Sequence, residues 1–73
     1  KRPVNSVAFS PDGRILASAG GETVILWDLK TRQRIGELLR GHGDVEVLSV
    51  AFSPNSRMLA SGSRDSNVIL WDP

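Results

Sequence analysis

The chain has no cysteine, a single histidine and no tyrosine among its 73 residues. Without cysteine it has neither disulfides nor thiolate metal ligands, and one histidine does not build a multi-histidine zinc site. No apolar run approaches the roughly 20 residues that cross a bilayer, and no apolar stretch with basic flanks resembles a secretory signal. These absences predict a protein that uses no metal or other cofactor, has no membrane partner and works in the cytoplasm.

An excess of charge of either sign is also lacking. Nine basic residues stand against eight acidic ones, for a net charge of +1. The basic residues are dispersed and do not form the stripe that is typical of nucleic-acid binders. A chain this short encloses a small core, and without disulfides or metals it needs more protein around it to be firmly stable.

What the sequence does have is an internal repeat. Residues 7–11 (VAFSP) return as 50–54, and residues 16–18 (LAS) return as 59–61, in both cases 43 positions later. Residues 24–28 (VILWD) return as 68–72 after 44 positions, so the second copy carries one extra residue. We assign residues 1–40 to the first repeat and 41–73 to the second.

Each repeated block has the pattern of a short strand. Residues 6–10 alternate small with large side chains, and the apolar residues 24–27 indicate a strand that is buried on both faces. The turn at 10–13 contains Pro, Asp and Gly, whereas the turn at 53–56 lacks the glycine and is expected to be more strained. Residues 34–39 predict a fourth, outer strand. A short helix over residues 33–40 is the alternative, and Gly36 in its middle and the repeat context favour the strand.

The period near 43, the pair Gly41-His42 and the terminal Trp71-Asp72 are similar to the repeats of the WD40 family over essentially the whole chain. The resemblance implies an all-β fold of two adjacent blades of a β-propeller. Each blade is a four-stranded antiparallel sheet, and the second lacks its outer strand. Because such a blade is apolar on both sides, neighbours must cover it. The resemblance therefore implies further blades as partners, in the same chain or in identical copies.

The resemblance also implies a structural hydrogen-bonded tetrad. In the family the Trp indole donates to the Ser hydroxyl, the hydroxyl donates to one His nitrogen, and the other His nitrogen bonds the Asp carboxylate. In this chain the matching residues are His42, Ser61, Asp65 and Trp71. The first repeat keeps Ser18 and Trp27 but has Gly21 where the aspartate should stand, so we expect a tighter turn there and no tetrad.

A Ser-His-Asp hydrolase triad is the competing interpretation of His42, Ser61 and Asp65. The chain has no Gly-x-Ser-x-Gly motif, and a triad does not explain Trp71. We therefore expect no enzymatic activity.

Members of the family usually bind partners through the start of the innermost strand and the residue before the tetrad aspartate. The corresponding positions of this chain are Pro3, Asn5, Gly20, Glu46, Leu48 and Arg64. The implied function is a non-catalytic scaffold for protein–protein interaction. One alternative is a two-blade unit that self-assembles into a homo-oligomeric propeller. A second is a propeller that recognises nucleic acid, which the near-neutral charge disfavours.

Overall fold

The computed structural model describes residues 3–36 and 39–72. In these ranges the chain forms two antiparallel sheets, with strand order β1-β2-β3-β4 in sheet 1 and β5-β6-β7 in sheet 2. The strands are β1 (Val4–Phe9), β2 (Ile15–Gly20), β3 (Thr23–Asp28), β4 (Gln33–Arg34), β5 (Val47–Phe52), β6 (Leu59–Ser63) and β7 (Val68–Trp71). The predicted all-β architecture, with four strands and then three, is confirmed. None of the described residues belongs to a helix that would span a membrane.

The core lies between the two sheets. Sheet 1 contributes the small and branched side chains of β2 and β3, and sheet 2 contributes side chains of β5 and β6; the buried set is Ala17, Ala19, Val24, Leu26, Val47, Val50 and Leu59. Full burial of each Val or Leu side chain contributes roughly 1.5–3 kcal/mol. The Val47 backbone N–H also donates to the Gly21 carbonyl at 2.8 Å and joins the sheets directly.

Each sheet packs against one other sheet, so each has one covered face and one open face. On β3, Val24 and Leu26 point at sheet 2 and are 0% and 7% exposed. On β7, Val68 and Leu70 point away from sheet 1 and are 68% and 65% exposed. The prediction that residues 24–27 are buried on both faces is therefore wrong for this structure, because Ile25 and Trp27, on the other side of β3, are only half-buried.

The outer strand of sheet 1 is shorter than the predicted strand at 34–39. It comprises Gln33–Arg34, and Leu39 then forms an isolated bridge with Val24 in which each N–H donates to the other's carbonyl, at 2.9 and 3.1 Å. Between them Gly36 has a φ of 64°, a left-handed conformation that breaks an extended strand. Residues 37 and 38 lie outside the described residues.

The chain passes from sheet 1 to sheet 2 just after this bridge. Leu39 still pairs with β3, whereas His42 already contacts Ser61 of β6. The following loop ends in a register shift between Val47 and Ser49, which makes Leu48 a bulge. Because β1 has the same shift between Val4 and Ser6, the bulge belongs to both repeats.

Within the described residues, three turns share one arrangement. A serine hydroxyl donates to the side-chain oxygen of the Asp or Asn two positions on, and that oxygen accepts the N–H two positions further; the serines are Ser10, Ser53 and Ser63. The residue between that Asp or Asn and that N–H has a positive φ in each case: Gly13 (76°), Ser56 (64°) and Ser66 (73°). The predicted strain of the 53–56 turn is thus confirmed at Ser56.

We expect Ser66→Gly to raise the free energy of unfolding by about 0.5–1 kcal/mol, because glycine adopts the left-handed conformation without the steric cost that a Cβ brings. Ser66 is preferred to Ser56 because the Ser56 hydroxyl accepts a hydrogen bond from the Asp12 N–H. Urea unfolding followed by tryptophan fluorescence measures the change. Ser66→Ala is the control, and an equal gain in both variants would show that backbone strain is not the cause.

Candidate functional site

Two hydrogen bonds tie the second repeat together around one buried hydroxyl. The Trp71 indole Nε1–H donates to Ser61 Oγ at 2.8 Å, and the same oxygen lies 2.7 Å from His42 Nε2. Ser61 is 1% exposed and His42 is 8% exposed. The hydroxyl therefore joins β6, β7 and the loop that precedes β5, as two of the three contacts of the predicted tetrad require.

The third contact of that tetrad is absent. The Asp65 carboxylate accepts from the Ser63 hydroxyl and from the Asn67 backbone N–H and side-chain amide, the last at 3.0 Å. His42 Nδ1 is buried and has no hydrogen-bond partner among the described residues. The prediction of a His42–Asp65 hydrogen bond is wrong for this structure, because the carboxylate instead closes the exposed turn between β6 and β7.

Gly41, the residue before His42, has a packing role that its position in the motif did not reveal. A Cβ at Gly41 would lie 2.8 Å from both Ile69 Cδ1 and Trp71 Cη2. The glycine thus lets the loop backbone pass directly against the indole. The sequence shows the glycine as part of the pair Gly41-His42. Why a glycine is needed there becomes clear only from the packing of the loop against β7.

The first repeat has a weaker version of the same arrangement. Trp27 Nε1–H donates to Ser18 Oγ at 3.3 Å, and Ser18 is half-buried. The link between β2 and β3 is only two residues long and begins at Gly21, whose φ is 55°. The predicted tighter turn is confirmed, and Gly21 stands where the second repeat has Asp65.

The geometry is that of a structural cross-link. A serine nucleophile must be reachable by substrate, whereas Ser61 Oγ is covered and already accepts the indole N–H. Asp65 does not orient the imidazole, as a triad aspartate would. Among the described residues no group of three His, Cys, Asp or Glu side chains is placed to hold a metal ion.

A second cluster lies at the end of the sheets where β1 and β5 begin, which we call the rim. Glu46 bridges the two sheets there: Oε2 accepts from Asn5 Nδ2 at 2.9 Å, and Oε1 pairs with the Arg64 guanidinium at 2.9 Å. Asn5 Nδ2 also donates to the Val47 carbonyl at 2.8 Å. The Arg64 backbone N–H donates to the Glu46 carbonyl at 3.0 Å, so both ends of Arg64 are fixed.

The structure brings the six residues predicted for partner binding to this rim. Pro3 and Asn5 are exposed at the start of β1, and Leu48 is 39% exposed at the β5 bulge. The Arg64 side chain is 68% exposed and that of Glu46 is 24% exposed. Gly20 is packed against the chain, because a Cβ there would lie 2.7 Å from the Pro3 carbonyl oxygen. We call Pro3, Asn5, Glu46, Leu48 and Arg64 the rim cluster.

We expect Ser61→Ala to lower the free energy of unfolding by about 1–3 kcal/mol for each group left unpaired, the Trp71 N–H and the His42 Nε2. The matched control is Ser18→Ala, which removes a single longer bond from a half-buried serine. Urea unfolding at equal protein concentration compares the two. An equal loss in both variants would contradict a special role for the Ser61 hydroxyl.

Low pH should lower the free energy of unfolding, because it protonates two carboxylates, Asp12 and Asp65, that accept hydrogen bonds in turns. The Ser63 hydroxyl holds the pKa of Asp65 below its usual 3.8, helped by the Asn67 N–H and the charge of His42. The Ser10 hydroxyl likewise lowers the pKa of Asp12. Because both carboxyls ionise more readily in the folded chain, their stabilisation is present above pH 3.8 and is lost as the pH falls through the folded pKa.

The check is the urea midpoint of the wild type and of Ser63→Ala, measured from about pH 5 to about pH 2. The midpoint should fall with acid in both, and the fall should be shallower in Ser63→Ala, which lacks the hydrogen bond to Asp65. Parallel curves would show that this turn does not contribute to the acid dependence.

Sequence comparison gives relatives of the same repeat type. The family described as WD domain, G-beta repeat matches residues 1–28 and 32–72. Guanine nucleotide-binding protein subunit beta from Zea mays is 43% identical over 76 residues, and that from Oryza sativa subsp. japonica is 45% identical over 76 residues. Each match covers 94% of this chain and 20% of the relative, so the chain spans about a fifth of the length of these curated relatives.

Comparison of coordinates gives the same fold. The crystal structure of RRP9 WD40 repeats and the structure of U3-55K both match with a TM-score of 0.87 at 23% identity. The matches cover 99% of this chain and 23% and 24% of those chains. The two sheets are therefore arranged as adjacent blades are arranged in a propeller.

Proposed function

Because this chain belongs to the WD40 repeat family, we propose that its two blades form part of a β-propeller that binds other proteins and does not catalyse a reaction. The observation that carries the proposal is the rim cluster, where an exposed arginine and an exposed leucine stand beside the residue that bridges both sheets. The curated relatives are named as subunits of a guanine nucleotide-binding protein, and membership of an assembly supports a protein partner.

Arg64 is the residue on which the binding proposal depends most. One guanidinium nitrogen is held by Glu46, and the side chain is 68% exposed, so further N–H groups point to solvent in a fixed direction. An arginine that is already positioned loses less conformational entropy when it binds. Leu48 adds apolar surface at the same rim. The partner that fits is a protein surface with a carboxylate next to an apolar side chain.

The rim is a poor surface for phosphate. Its arginine is already paired with a carboxylate, and the whole chain carries a net charge of only +1. The absence of catalysis is supported by the burial of Ser61, the one serine that contacts the histidine among the described residues. A cytoplasmic location stays a prediction from composition.

The proposal is tested with Arg64→Ala. An exposed ion pair contributes only about 0.2–1 kcal/mol to stability, so the variant keeps its fold. The tagged wild-type chain is used to capture protein from an extract of its source, and the Kd of the identified partner is measured by calorimetry. We expect Arg64→Ala to raise that Kd about tenfold or more, which corresponds to about 1.4 kcal/mol.

Arg57→Ala is the matched control. Arg57 is an exposed arginine in the turn between β5 and β6, at the opposite end of sheet 2 from the rim. Its removal should leave the Kd within about twofold, far less than a hot-spot residue costs. Equal affinity in all three proteins would refute binding at the rim. A captured RNA with a steep salt dependence would favour the nucleic-acid alternative.

A further inference from the structure

A groove lies on the first repeat, at the end of the sheets opposite the rim. Its walls are the turn between β1 and β2 and the link between β3 and β4, and its volume is about 630 Å³. That volume falls within the roughly 300–1,000 Å³ of ligand pockets in proteins. We call it the linker groove; the side chains that line it are Arg14, Ile15, Asp28, Leu29, Lys30 and Ile35.

The linker groove is open although the neighbouring sheet is in place. Ile15 pairs with Asp28 two positions along β2 from the buried Ala17, so both share the face of sheet 1 that sheet 2 covers. Sheet 2 contributes no described residue to the lining of the groove. The groove therefore lies on the covered side of sheet 1, beyond the edge of the contact between the two sheets.

Backbone hydrogen bonds hold the walls of the groove. The Leu29 N–H donates to the Arg14 carbonyl at 3.0 Å, which ties the β3–β4 link to the β1–β2 turn. Asp28 Oδ1 accepts the N–H groups of Lys30 and Thr31 at 2.8 and 3.2 Å and so fixes the path of the link. A site whose walls are already ordered loses less conformational entropy when it binds.

The floor of the groove is apolar. Ile15 and Leu29 are half-buried, and Ile35 is 39% exposed. The Ile35 N–H donates to the Leu26 carbonyl at 2.7 Å, which holds this residue to β3 just beyond the end of β4. Three branched side chains from three segments thus form one apolar surface, which suits an apolar side chain of a ligand.

Two exposed cations, Arg14 and Lys30, belong to the same lining. Neither forms an ion pair with a described residue. Asp28 is the one carboxylate of the lining, so the lining carries an excess of one positive charge. The Asp12 carboxylate lies outside the lining and accepts from the Ser10 hydroxyl at 2.6 Å. The groove therefore complements a ligand that joins an apolar group to a carboxylate.

These properties favour a peptide over nucleic acid. Proteins that bind single strands stack the bases on aromatic side chains, and no aromatic residue lines the groove. A row of phosphates binds a stripe of cations, whereas the lining has two cations beside one carboxylate. An acidic segment of a protein offers both groups that the groove complements.

We propose that the linker groove binds a short acidic segment of another protein, with an apolar side chain on the floor and a neighbouring carboxylate paired with Arg14 or Lys30. The proposal goes beyond binding at the rim, because the two surfaces lie at opposite ends of the sheets and share no residue. One protein segment at each surface can therefore be bound at the same time.

NMR titration of the protein with three peptides tests this chemistry. The probe is Gly-Glu-Leu-Glu-Gly with blocked termini. One comparison peptide has lysine in place of both glutamates, and the other has serine in place of leucine. We expect the probe to shift the amide signals of Gly13, Leu29 and Ile35 with a Kd of about 1 mM or lower, and to leave that of Arg64 unshifted. Each comparison peptide should bind at least about fivefold more weakly, since it lacks one of the two contacts.

Three variants assign the contacts. Arg14→Gln and Lys30→Gln each remove one cation, and Ile35→Ser removes part of the floor; all three residues are exposed, so the buried core is untouched. Each variant should raise the Kd of the probe about fivefold or more.

Arg34→Gln is the matched control. Arg34 is also exposed and directly precedes Ile35, but in an extended segment its side chain points to the other side of sheet 1. This variant should leave the Kd of the probe within about twofold. Arg64→Ala should also leave it unchanged, so the groove and the rim can fail independently.

Several outcomes would overturn the proposal. They are equal binding of the three peptides, shifts confined to the rim, and no shift up to about 5 mM probe. A single-stranded oligonucleotide that shifts the same amides at lower concentration would overturn it too, and would assign the groove to nucleic acid. A variant whose amide signals lose their dispersion is replaced by Arg14→Met, Lys30→Met or Ile35→Thr, which keep more of the original side-chain shape.

Discussion

The structure depends on one constraint: each of its sheets is apolar on both broad sides. Such a sheet is stable in water only when another sheet covers its apolar surface. In this chain the constraint is met once, where the alanines of β2 and the branched side chains of β3 meet β5 and β6. The small residues on one side and the larger ones on the other allow close approach of the backbones, and the Val47–Gly21 hydrogen bond marks how close that approach is. The distribution of buried and exposed side chains over the two sheets follows from this packing.

The polar network of the second repeat pairs the indole N–H of Trp71 and fixes a loop. A tryptophan at the edge of a three-stranded sheet carries an N–H that must be satisfied, and the loop before β5 must be held to its own sheet. One serine hydroxyl does both, by accepting the indole N–H and contacting the imidazole. In the first repeat, where no imidazole reaches the serine, the indole bond is longer and the serine is less buried. Burial and hydrogen bonding therefore reinforce each other at this site.

Local patterns in the sequence predicted the number of strands and their places in the chain: alternation, Pro-containing turns and the repeat itself. The order and pairing of the strands were implied by the resemblance to the WD40 family. The residues at the rim were predicted by position from the same resemblance, and the structure brings them together because strand ends on one side of an antiparallel sheet lie close to each other. The sequence did not predict the Asp65 contacts, since Ser63 and Asn67 compete for the carboxylate and only geometry decides between them and His42. The bridge between Asn5 and Glu46 was also missed, because it joins two sheets and no pattern within either one reports it.

The order of the strands in each sheet affects how the chain folds. Every hydrogen-bonded strand pair in the described residues joins strands that are adjacent in sequence, and every link within a sheet is a short turn. Chains dominated by such local pairing reach their contacts quickly, since little loop entropy is lost before each contact forms. Each sheet is thus able to set its own register as it leaves the ribosome. Only the docking of the two sheets has to wait for distant parts of the chain.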